Sequence, residues 1–131
     1  MVALVPITAL YAGLLAMLLL ALALRIIRLR WKLRVGIGDG GDRTMLRAVR
    51  AHGNAAEYVP IALLLLLVAE LNHAPPMLLH AGGAVLVGSR VLHAVGLTRS
   101  GGPSWPRTVG TLGTMAVVIV LAVTAIAAFL R

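Results

Sequence analysis

Four polar residues open the second hydrophobic stretch of the chain: Arg47, Arg50, Asn54 and Glu57, at spacings of three, four and three. On a helix this spacing gathers them into one stripe. Two guanidiniums, a carboxamide and a carboxylate at the edge of a bilayer are costly unless they face protein, water or a ligand. Arginine grips carboxylates in a bidentate fork, and a glutamate can hold an ammonium group. The chemistry that fits is capture of an anion that also carries an amine.

Further along the chain, Arg90 and His93 lie one turn apart on one helix face, and Arg107 opens the last hydrophobic stretch on the same side. Together they make a net-basic pocket with one carboxylate. Each residue also has a plainer reading. Arg47 can snorkel as an interface anchor. Glu57 can neutralise Arg50 or Arg90 in a buried pair, which would make Arg90 a structural partner of that carboxylate. His93 can be a packed histidine bonded to a carbonyl. No metal site is expected, because His52, His73, His80 and His93 are scattered and Glu57 alone is a poor first shell. The chain has no cysteine, so thiol chemistry needs a thiol from outside. Glutathione brings one, together with two carboxylates and an amine.

The elements that must position these groups follow from composition. The chain has 131 residues, 60% hydrophobic, with Leu, Ala and Val in long runs. This is the composition of a membrane protein, and residues 1–131 suffice for a single bundle. Four helices are expected, over about residues 4–33, 45–71, 77–97 and 107–130. The first apolar run, Ala3 to Leu24, has no basic residue before it and is followed by arginines, so it reads as a retained span rather than a signal peptide. The second helix, about 40 Å long, exceeds a hydrocarbon core of about 30 Å, so its polar start reaches the headgroups. The glycine-dense segment Gly36 to Asp42 breaks the first helix, and Asp42 or Thr44 can cap the second.

Eight of the twelve basic residues, Arg25, Arg28, Arg30, Lys32, Arg34, Arg43, Arg47 and Arg50, lie in or beside the first inter-helix segment. The Asn72–Pro76 turn has none, and the Thr98–Pro106 loop carries Arg99 and the interfacial Trp105. This is the positive-inside pattern and predicts both termini outside. The net charge of +8 therefore belongs to membrane topology and not to nucleic-acid binding. Gly82, Gly83, Gly88, Gly110 and Gly113 are expected at close helix contacts.

The run Arg50-Ala-His-Gly-Asn54-Ala-Ala-Glu57-Tyr58-Val-Pro60 resembles the second-helix signature of the MAPEG family, the membrane-associated proteins in eicosanoid and glutathione metabolism. Arg90, His93 and Arg107 also match family positions. The loop from Arg34 to Gly41 resembles that of the bacterial inner-membrane branch. The likeness extends over essentially the whole chain. It implies a homotrimer with glutathione bound between subunits on the cytoplasmic side. Arg50, Asn54, Glu57 and Tyr58 would hold it, with Arg47, Arg90 and His93, while Arg107 would stabilise the thiolate. Three positions depart from the family pattern: Leu97 and Thr111 stand where members often carry tyrosine, and Gly53 where some carry a basic residue.

The function expected is that of a glutathione-dependent transferase or peroxidase acting on a hydrophobic molecule that arrives from the lipid. A non-catalytic membrane subunit or scaffold on the same frame is the alternative. A small multidrug transporter of similar length normally needs a carboxylate within its first helix, and this first span has none.

Overall fold

The computed structural model describes residues 4–130; Ala3, where the first apolar run begins, lies outside them. Four helices account for nearly all of the described residues: α1 (Pro6–Leu33), α2 (Arg43–Leu71), α3 (Pro76–Arg99) and α4 (Trp105–Phe129). Each is long and apolar enough to cross a membrane. Their ends follow from local chemistry. Proline sits in the first turn of α1, α3 and α4, where its missing N–H is no loss. The Asp42 side chain accepts from the Met45 N–H at 2.8 Å and so starts α2.

The bundle is built around α2 and α3, which pack on each other; α1 lies against both, α4 lies against both, and α1 and α4 do not meet. Helix α2 presents a seam of mostly small residues, Ala48, Ala51, Ala55, Val59, Ala62, Leu66 and Ala69, all buried. Steps of three and four keep that seam on one face. Leu15, Leu79, Leu86 and Leu121 fill the space against it. Outside this core the surface is largely apolar, with Leu10, Met17, Leu64, Ile119 and Ile126 among its exposed residues, as a lipid-facing bundle requires.

Glycine lets α3 and α4 come close. A Cβ on Gly110 would stand 2.5 Å from the Ser89 carbonyl oxygen and 2.7 Å from the His93 nitrogen. Gly83 lies under the Tyr11 ring and Gly113 against Ser89. These glycines therefore serve contacts within the chain. Gly82 meets Leu121 only at ordinary van der Waals distance, and nothing lies near Gly88.

The bundle has two distinct ends. The loop end carries the α1–α2 and α3–α4 loops; the turn end carries the start of α1, the α2–α3 turn and the last turn of α4. At the turn end, the Glu70 carboxylate accepts from Ile7 N at 2.9 Å and Thr8 N at 2.6 Å, and so caps α1 from a neighbouring helix. Close by, the Tyr11 hydroxyl donates to the His80 carbonyl at 3.0 Å and lies 3.1 Å from His80 Nδ1.

Candidate functional site

At the loop end, Arg47, Arg50 and Asn54 of α2, His93 and Leu97 of α3 and Arg107 of α4 surround a pocket of about 200 Å³. Five of the polar residues singled out from sequence are thus brought together. Arg90, Tyr58 and Glu57 are placed elsewhere, each for a different reason.

Arg90 lies behind the pocket, 2% exposed. One of its Nη atoms donates to Asn54 Oδ1 at 2.8 Å and the other to the Gly110 carbonyl at 3.1 Å. Its guanidinium also rests over the Tyr58 ring, 5.6 Å from the centroid, a cation–π contact. Arg90 therefore ties α2, α3 and α4 together, with Asn54 as its side-chain partner rather than Glu57. Because arginine has only donors, the amide oxygen of Asn54 must face it. The Asn54 NH₂ group is left as the donor available to a ligand.

Glu57 is exposed and takes no part in lining the pocket. Helical geometry explains the divergence. At about 100° per residue, Asn54 falls about 20° from Arg47 around α2, whereas Arg50 and Glu57 fall about 60° and 80° away. The predicted stripe is thus a band. Arg47 and Asn54 occupy its inner edge, and Arg50 and Glu57 its outer edge, with Arg50 still reaching the pocket rim.

Arg107 owes its position to Gly96, a residue that sequence reasoning passed over. A Cβ on Gly96 would stand 2.7 Å from the Arg107 nitrogen, so only glycine lets the start of α4 lie against α3 there. The small residue near the end of α3 was the available signal. Helix α4 begins without a side-chain cap, and the Ser104 hydroxyl is buried without a partner. The positive end of the α4 dipole adds to the guanidiniums around the pocket. The Nε of Arg47 is likewise buried with no acceptor. An unused donor on Arg47 and a net positive field suit an anion with several oxygens. Among the described residues no group of three or more His, Asp or Glu is arranged to hold a metal ion.

The two tyrosine-to-other departures now have a geometry. Leu97 forms an apolar wall of the pocket. The Thr111 hydroxyl donates to the Arg107 carbonyl at 2.9 Å within its own helix, so it supplies no donor to the pocket. Arg107 also borders a second cleft of about 340 Å³ on the outer face of α4, lined by Pro103, Thr108, Thr111 and Leu112.

Residues 8–127 match the MAPEG family. Over 90 residues the chain is 44% identical to the inner membrane protein YecN of Escherichia coli K12, a stretch covering 69% of each chain. The YecN protein of Escherichia coli O6:H1 gives the same identity over the same share.

Proposed function

The chain belongs to the MAPEG family and is a multi-pass inner-membrane protein, and we propose that its loop-end pocket binds glutathione and presents the thiol to a hydrophobic electrophile. The observation that carries this reading is the convergence of Arg47, Arg50, Asn54, His93 and Arg107, from three helices, on one pocket where Arg47 keeps an unused donor. The basic residues of the two loops support a pocket on the cytoplasmic side, with both termini outside.

Within this reading Arg47 and Arg50 take carboxylates of the tripeptide, and the Asn54 amide donates to one of its oxygens. Arg107 acts on the sulfur. A guanidinium close to a thiol favours the thiolate, and the thiolate is the nucleophile. In the transferase reaction the thiolate forms a carbon–sulfur bond while the leaving group departs with the bonding pair, the thiol proton going to solvent. In the peroxidase reaction two glutathione molecules become one disulfide as a hydroperoxide is reduced to an alcohol and water. The cleft on the lipid side of Arg107 is the approach for the apolar partner.

Glu57 supports assembly into a homotrimer. An exposed carboxylate where the apolar part of α2 begins needs a partner from outside the protomer, and an ammonium group bound between subunits provides one. The glycine faces lend no support to assembly, since Gly83, Gly110 and Gly113 are filled from within.

Calorimetric titration of the detergent-purified protein with millimolar glutathione tests binding. Saturable heat is expected from the wild type, and its absence would overturn the reading. Appearance of thiolate absorbance near neutral pH then tests activation. Leu97 and Thr111 favour a second outcome, a protein that binds glutathione without turning it over, since neither supplies a hydroxyl to the site. Binding without thiolate formation would establish that non-catalytic role.

A further inference from the structure

The richest concentration of positive charge lies outside the pocket, at the end of α1. With 28 residues, α1 is about 42 Å long, so a hydrocarbon core of about 30 Å leaves its last turns among the headgroups. Arg28, Trp31, Lys32 and Arg34 are all exposed there. Arg30 instead folds back, one Nη donating to the carbonyls of Val35, Gly36 and Gly38 at 3.3, 3.0 and 3.3 Å.

That arginine gives the following loop a fixed shape. Gly38, Gly40 and Gly41 adopt positive φ, and a Cβ on Gly40 would stand 2.5 Å from a Val35 methyl. Asp39 and Asp42 turn carboxylate oxygens to the N–H groups of Gly41 and Met45, at 2.9 and 2.8 Å. The loop's two acids are therefore turned to its own backbone, and the basic residues from Arg25 to Arg34 outnumber them. Between the loop and the helix end is a cleft of about 310 Å³ bordered by Trp31, Arg34 and Gly36. Trp31 is 82% exposed and Ile37 93%. An indole and an aliphatic chain so exposed beside arginines fit the glycerol and headgroup layer of a bilayer.

We propose that this cleft is a binding site for the headgroup of an anionic phospholipid. Arg34 holds the phosphate, the Trp31 indole lies at the glycerol level, and Arg30 keeps the loop in place behind it. Charge alone would attract anionic lipid diffusely. The fixed loop and the cleft beside Trp31 make it a site. A lipid rather than soluble phosphate is the occupant because the cleft combines its cations with exposed apolar groups.

The chain has two tryptophans, so each can report alone. Full-length Trp105→Phe protein is reconstituted in phosphatidylcholine vesicles containing a minor fraction of brominated phosphatidylglycerol, or of brominated phosphatidylcholine with the same chains. Trp31 fluorescence should be quenched several-fold more by the phosphatidylglycerol. Arg34→Gln should lower that preference roughly five-fold, the effect of one basic group near a membrane surface. The Trp31→Phe protein, in which Trp105 reports from the other loop, should show little preference. Equal quenching by the two lipids would overturn the proposal. Equal preference at Trp31 and Trp105 would do the same, because it would mark diffuse attraction. Loss of the preference on adding millimolar inorganic phosphate at constant ionic strength would assign the cleft to soluble phosphate instead.

Discussion

The two ends of the bundle each hold polar groups that an apolar bundle tolerates poorly, yet they treat them in opposite ways. At the turn end, both Glu70 oxygens accept backbone N–H groups of α1 and the Tyr11 hydroxyl donates to His80, which leaves the Thr8 hydroxyl as the buried group without a partner there among the described residues. At the loop end, Arg90 is engaged through both Nη atoms, while its Nε, the Arg47 Nε and the Ser104 hydroxyl are buried without partners, and Arg47 lines an open pocket. A network closed but for one hydroxyl is what structural polarity looks like in a membrane helix. Donors left over around a cavity mark a place for a ligand.

This contrast is open to direct attack, and the largest effect should come from the residue that belongs to both categories. Arg90→Ala removes two charge-assisted bonds and leaves the Asn54 oxygen without its partner, while the Gly110 carbonyl keeps the Thr114 hydroxyl. A loss of about 3–5 kcal/mol of stability is expected, read as a lowered melting temperature in detergent. A protein that keeps its melting temperature would show that Arg90 is not the tie between helices.

Arg107→Ala should leave the fold intact. Turnover with a model electrophile should fall roughly a hundred-fold, the effect of returning about two units to the thiol pKa. Glutathione affinity should fall far less, and Arg107→Lys should recover part of the rate because the charge is kept. Equal losses of affinity and rate would make Arg107 a binding residue only.

The two glutamates sharpen the comparison most. Glu57→Ala should weaken glutathione binding about ten-fold and barely move the melting temperature. Glu70→Ala should do the reverse, costing about 1–2 kcal/mol through the lost cap while leaving affinity unchanged. Interchanged results would assign the ligand to the wrong end of the bundle. The smallest effect is expected at Gly88, whose surroundings are open. Alanine there should stabilise α3 by up to about 1 kcal/mol, whereas alanine at Gly110, facing backbone at 2.5 Å, should lower the melting temperature.

Much of this was visible in the order of residues. Apolar run length against bilayer thickness placed four helices, and Asp42 was readable as a cap because capping depends on residues three apart. The gathering of Arg47, Asn54, His93 and Arg107 at one end followed from spacing and helix direction. Pairings between helices were less accessible. Glu70 looks like an ordinary acid at a helix end, and its partners lie more than sixty residues away. Glu57 seemed to share the stripe of Arg50 and Asn54, because spacings of three and four do not reveal an accumulated rotation. Gly96 was overlooked because its role depends on the direction from which α4 arrives.

The Glu70 cap also constrains the order in which the protein can be built. The amides of Ile7 and Thr8 emerge from the ribosome long before residue 70 exists, so the first turn of α1 must wait at the membrane surface, satisfied by water or headgroups. Only when the C-terminal end of α2 has crossed can the carboxylate meet those amides. The bond thus joins the N-terminal end of the first span to the far end of the second, and closes the first hairpin as a unit. A chain halted before residue 70 would leave α1 without its latch.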